Sequence, residues 1–183
     1  MSKNGGADVQ SNSDADFVFL EIYEMFVEMV HQASAYLDVF EKYNTRMEGW
    51  FHGQLVKTIG VDPRPGWKLL EVGKKVGNDE GRPDLWIKCG EQELAIEIKS
   101  MVIDTRTLKM YFRKSFGKDL RKLNASSGPM CLLTVAFPVS DESKWTELKE
   151  SAASEFSVYP LAERDLRYGE DRTARVTLWE KKE

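Results

Sequence analysis

The sequence predicts an α/β protein, with a mixed central sheet flanked by helices and a long helix at the N-terminus. Three observations predict it. Residues 83–88 and 93–99 alternate apolar and polar side chains with period two around a Gly90-Glu91 turn, the mark of a β-hairpin. Met130–Phe137 is a near-continuous apolar run, as in a central strand buried on both faces. Residues 17–43 carry apolar side chains at three- and four-residue spacing, the mark of a helix.

Along the chain, residues 1–15 are rich in Gly, Ser, Asn and Asp and read as a disordered tail. Residues 16–183 read as one domain: a helical extension over 16–43, a core region over 44–137, and a C-terminal helix and strands over 138–183. The extension has a wide stripe of Phe19, Ile22, Tyr23, Phe26, Met29, Val30, Ala33, Leu37 and Phe40, with acids opposite. Such a stripe belongs either to the core or to a subunit interface, so a homodimer through this helix is one expectation.

Thr45-Arg46-Met47-Glu48 has capping-box spacing and starts a second helix, which runs to about Ile59. Met47, Phe51, Leu55 and Ile59 form its apolar stripe, and Glu48 falls inside that stripe. A glutamate on the buried side needs a partner, because an unpaired buried charge is costly. Either it makes the reciprocal capping bond or it joins a metal site. His52, one turn on, is either a partly buried structural histidine or a group that touches a phosphate or a water.

Residues 67–76 read as the first strand and 77–81 as a turn. After the hairpin, a helix over about 105–123 carries Arg106, Lys109, Arg113, Lys114, Lys118, Arg121 and Lys122, which do not share one narrow face. After the strand Met130–Phe137, residues 141–156 read as a helix with Trp145 and Leu148 on one side. Residues 168–171 read as a turn, and 174–179 as a half-buried strand.

The hairpin holds the chemistry. Gly at the first position of a two-residue loop suits a type II′ turn. That register sets Cys89 opposite Gln92, Ile87 opposite Leu94, Leu85 opposite Ile96 and Asp84 opposite Glu97. Pro83, Leu85, Ile87, Leu94, Ile96 and Ile98 then share an apolar face. The other face pairs Arg82 with Lys99, Asp84 with Glu97, Trp86 with Ala95 and Lys88 with Glu93. Facing carboxylates repel unless a positive charge sits between them, and a divalent metal is the simplest such charge.

Pro83-Asp84 and Glu97-Ile98-Lys99, embedded in Gly-Arg-Pro-Asp-Leu-Trp-Ile and Leu-Ala-Ile-Glu-Ile-Lys-Ser, resemble the motif of the PD-(D/E)XK nuclease superfamily. The resemblance covers residues 44–137. It implies a restriction-endonuclease-like αβββαβ core and Mg²⁺- or Mn²⁺-dependent phosphodiester hydrolysis. Asp84 and Glu97 would be metal ligands, and Lys99 would polarise the attacking water or steady the charged transition state. Many members add an acid from the preceding helix, which implies Glu48 as a third ligand. The helix after the motif often brings a basic residue near the site. Arg113, Lys114 and Lys118 are candidates for nucleic-acid contact, together with Arg82.

Composition agrees with a soluble domain. Of 183 residues 42% are hydrophobic and 31% charged, no segment is long and apolar enough to span a membrane, and no secretory signal opens the chain. These point to the cytoplasm. Cys89 and Cys131 lack metal-site spacing and read as free thiols. The net charge of −4 is uneven: residues 1–41 hold eight acids against Lys3 alone, and the remainder carries +3. The acidity therefore does not exclude a nucleic-acid substrate.

The sequence thus predicts a metal-dependent nuclease, a DNA endonuclease in the first instance. The alternative is an inactive nucleic-acid-binding or protein-interaction domain of the same fold. A small-molecule enzyme is disfavoured, because there is no Gly-rich phosphate loop, nucleophile elbow or His-Glu-x-x-His zinc spacing.

Overall fold

The computed structural model describes residues 8–45, 47–61, 64–73, 83–103 and 115–182, with side chains from Ala15 onward. The chain runs through α1 (Asp8–Gln32), α2 (Ser34–Lys42), α3 (Glu48–Gly60), β1 (Trp67–Val72), β2 (Leu85–Cys89) and β3 (Gln92–Val102). It continues through α4 (Gly117–Ala125), β4 (Met130–Phe137), α5 (Glu142–Phe156), β5 (Val158–Tyr168) and β6 (Arg172–Lys181). The six strands form one mixed sheet in the order β1-β2-β3-β4-β6-β5. The β3–β4 pair is parallel and the other four pairs are antiparallel. A parallel pair needs a crossover, and α4 lies on it.

Helices cover both faces. On one, α1, α2 and α3 pack Ile22, Phe26, Val30, Leu37, Phe51 and Leu55 on Leu85, Ile87, Leu94, Ile96, Ile98 and Leu133. On the other, Phe116 and α4 residues Leu120 and Leu123 join Trp145 of α5 over Ala95, Met101, Leu132 and Trp179. The strand Met130–Phe137 is buried at every position, as its apolar run predicts. The apolar stripe of α3 is also as read, with Met47, Phe51, Leu55 and Ile59 all at most 2% exposed.

The hairpin register is the predicted one from Leu85↔Ile96 to Cys89↔Gln92, but the predicted Asp84–Glu97 pair does not form in the ladder, and the Asp84 carboxylate accepts from the Ile98 amide instead. Gly90 has φ +60° and Glu91 is not among the positive-φ residues, which fits the type II′ assignment.

The strand read as half-buried over 174–179 is buried at all six positions, because helices cover both faces of the sheet. Four expectations about the elements also change. The N-terminal helix begins at Asp8, inside the segment read as a tail, while residues 1–7 lie outside the described residues. The single helix over 17–43 is two, broken at Ala33, which has φ −83° and ψ 0°. The break lets α2 carry Asp38 and Glu41 to Arg172, and Glu41 also accepts from the Tyr168 hydroxyl. The capping box does not form: Met47 occupies the N-cap of α3, and the Thr45 hydroxyl donates to the Tyr43 carbonyl. The fourth change is β5, which no periodicity announced. It is an edge strand with Pro160 and a charged middle, and it pairs with β6 along its length.

The stripe on α1 that suggested a dimer is spent within the chain, since Ile22, Phe26 and Val30 have no exposed surface. Among the described residues no helix is long and apolar enough to cross a membrane.

Candidate active site

The site forms where β2 leaves β3. The ladder between them ends at Leu85↔Ile96, whereas β3 continues to Val102 beside β4. Beyond Ile96 two other groups meet the freed edge of β3. The Asp84 carboxylate turns back and accepts from the Ile98 amide at 2.7 Å. The first residue before α3 donates its amide, Met47 N, to Ser100 Oγ at 2.9 Å. The second bond anchors the start of α3 at this edge and brings Glu48 to the site.

β3 alternates as a strand must. Leu94, Ile96 and Ile98 face the core under α1 and α3, while Ala95 and Met101 face the core under α4. Glu97 and Lys99 stand between Ala95 and Met101 on that second face and are only 5% and 7% exposed. The charged side of the hairpin is therefore covered at Glu97 and Lys99, whereas Glu93 nearer the turn is exposed. Burial of that kind requires partners.

The partners come from α3 and α4. Lys99 Nζ lies 3.1 Å from Glu48 Oε2 and 3.0 Å from Asp119 Oδ2. Lys122 Nζ donates to Glu97 Oε1 at 2.5 Å and lies 3.7 Å from Asp119 Oδ1. Asp119 thus touches both lysines and is itself 5% exposed. The second oxygen of Glu97, Oε2, is buried with no hydrogen-bond partner among the described residues. Burial and the Asp84 carboxylate push the Glu97 acid up to about 8, against the opposing pull of Lys122. Burial works against charge on Lys99, but Asp119 and Glu48 outweigh it, so its pKa is raised. Lys99 is therefore a fixed cation at neutral pH and not a proton acceptor.

Asp84, Glu97, Lys99 and Glu48, each singled out by the sequence, are brought together. His52 is half-buried, with Nε2 3.2 Å from the main-chain oxygen of Asp84. That contact fits the structural of its two readings. Lys118 is exposed on α4. Arg82, Arg113 and Lys114 lie outside the described residues.

Two residues were missed. Lys122 was read only as one of a run of basic side chains, and Asp119 was not considered. A signal for Asp119 existed: with Phe116, Leu120 and Leu123 it occupies positions i, i+3, i+4 and i+7 of one helical face. A carboxylate on an apolar stripe is the same anomaly that singled out Glu48.

Among the described residues no three His, Cys, Asp or Glu side chains converge as a metal-ligand group. Mg²⁺ needs only one or two protein carboxylates beside water and substrate oxygens, and the unpartnered Glu97 Oε2 is a donor of that kind. The donor set therefore fits a divalent cation. Comparison with protein-family models, curated proteins and solved structures finds no match to this chain.

Proposed function

We propose that this protein is a metal-dependent nuclease with a restriction-endonuclease-like core, acting on DNA as an endonuclease. One observation carries the reading. Among the described residues four carboxylates (Glu48, Asp84, Glu97, Asp119) gather around two lysines (Lys99, Lys122), a deficit of two positive charges. A divalent cation makes up that deficit. Without one, the raised Glu97 acid does so in part by keeping a proton. The element order α3-β1-β2-β3-α4-β4 supports the reading, as do the motif residues just before β2 and in the middle of β3.

The residues divide the work. Asp84 and Glu97 would hold the ion, while Glu48 is paired with Lys99 and does not converge with them as a third ligand among the described residues. A Mg²⁺ or Mn²⁺ ion bound there would supply positive charge to the scissile phosphate and acidity to a water molecule. Lys99, held charged by Asp119 and Glu48, faces the negative charge that develops on the phosphate oxygens. Of the two roles open to it, steadying the transition state is the one its raised pKa favours. The exposed Lys118 offers a backbone-phosphate contact, which would weaken with salt.

Supercoiled plasmid incubated with pure protein and Mg²⁺ should be nicked, and EDTA should abolish the nicking. Asp84→Asn and Lys99→Ala should each lower the rate by about 100-fold or more while the fold is kept, as judged by circular dichroism. If both variants cut as well as the parent, the proposal fails.

A second reading rests on the lysines themselves, which already serve the carboxylates as internal counter-ions. On that reading the domain binds nucleic acid without turnover. The same experiment separates the two, since plasmid retained in a gel shift but left intact with either metal favours the second.

A further inference from the structure

Lys122 has no place in the proposed chemistry, yet it holds one oxygen of a deeply buried acid, Glu97. Its amine sits on Glu97 Oε1 at 2.5 Å, whereas Glu97 Oε2 has no hydrogen-bond partner among the described residues. The Glu97 side chain is 6% exposed and that of Lys122 is 25% exposed. A glutamate more than nine-tenths buried therefore offers one free oxygen and one covered by a cation that has a route to solvent. The second carboxylate within reach of the amine is Asp119, whose Oδ1 is 3.7 Å away. Lys122 and Asp119 are one turn apart on α4, so both ride on the same rigid element.

We propose that Lys122 is a resident cation that competes with the metal for Glu97, and that Asp119 receives it when the metal binds. The inference rests on the metal-site reading above. Two positive charges cannot share one carboxylate at close range without mutual repulsion, so an arriving divalent ion weakens the Lys122–Glu97 contact. The amine then moves to Asp119, which already neutralises Lys99 and gains a second partner. The exchange keeps a positive charge beside Glu97 in the metal-free protein, where the carboxylates would otherwise repel one another. It also sets a threshold of metal concentration below which the site stays closed to the ion. Lys122 is thus a positioning residue for the metal and not a catalytic one.

The two residues should move metal affinity in opposite directions, which a merely structural role would not do. Mn²⁺ binding to the full chain is measured by isothermal titration calorimetry without nucleic acid. Lys122→Met should bind Mn²⁺ about tenfold tighter than the parent, and Asp119→Asn several-fold weaker. Lys122→Gln should behave as Lys122→Met does, and it serves where the methionine variant does not fold. Glu97→Gln should abolish binding in both the parent and the Lys122→Met background. The rise in melting temperature caused by Mn²⁺ should be larger in Lys122→Met than in the parent. Equal or weaker Mn²⁺ binding in a folded Lys122→Met or Lys122→Gln protein overturns the competition, while Glu97-dependent binding in the parent leaves the metal site standing. No Glu97-dependent binding in any folded variant at millimolar Mn²⁺ overturns the metal site and the competition together.

Discussion

At the scale of single residues, Glu97 controls how the site responds to pH. Its folded-state pKa is about 8 because burial and Asp84 disfavour the charged form, whereas an unfolded chain would titrate it near its ordinary 4.5. Between those values the folded protein holds a proton that the unfolded chain has released. Stability must therefore fall as pH rises through that window and level off above it. Glu97→Gln cannot titrate, so its difference in unfolding free energy from the parent isolates the effect. Urea melts at pH 5, 6, 7, 8 and 9 should show the parent losing ground to the variant, by an amount on the order of a few kcal/mol across the window. A difference that stays constant with pH would refute the assignment. The residues of this site were legible to unequal degrees. Asp84, Glu97 and Lys99 follow from strand alternation and one turn, both local. Asp119 is marked locally only as a carboxylate on an apolar stripe, and what it and Lys122 touch follows from α4 docking on the sheet face that holds Glu97, which no local pattern shows.

At the scale of elements, one turn fixes which acids meet. Gly90 holds φ +60°, and a methyl group added there would meet nothing within 4 Å. The cost of Gly90→Ala is then the backbone cost alone, about 1 kcal/mol, and a urea melt should show that loss with an unchanged slope. A neutral effect would mean that the turn conformation does not require glycine. Turn chemistry and apolar alternation agree on this register, which is why it could be read from the sequence. The start of α3 is different. Thr45 and Glu48 have capping-box spacing, but Met47 instead gives its amide to Ser100, a residue 53 positions later, and Glu48 is drawn to Lys99. A tertiary bond has displaced a local one. The break at Ala33 carries no Gly or Pro to announce it, and beyond it Glu41 of α2 meets Arg172 and Tyr168. Strand β5 is hidden by its own chemistry, since an edge strand tolerates Pro160 and the run Glu163-Arg164-Asp165, which break any alternating pattern.

At the scale of the whole molecule, the charge imbalance between the two ends of the chain is consumed by folding. The acidic residues of α1 and α2 dock on basic residues far along the chain. Glu21 lies 3.7 Å from Arg64, Glu24 2.8 Å from Arg164, and Glu41 2.9 Å from Arg172, which also holds Asp38. Part of the positive charge that residues 42–183 carry is therefore committed to the N-terminal helices and is not available to a polyanion. These helices are equally committed to the core. Ile22, Phe26, Val30 and Leu37 are fully buried against the sheet, and the Tyr23 hydroxyl donates to the Val176 carbonyl at 3.3 Å. What the sequence marks as an extension is one of the two layers that cover the sheet. Removing residues 1–41 would uncover the apolar face of β4, β5 and β6, on which α1 and α2 pack, so the truncated chain should lose its cooperative thermal transition and bind a hydrophobic dye. Phe26→Ala, which leaves the helices in place, should cost about 3–5 kcal/mol in a urea melt. A truncated chain that melts cooperatively near the parent's temperature would show instead that the sheet and the helices α4 and α5 suffice. In that case α1 and α2 would be an accessory, free to act on the site from outside.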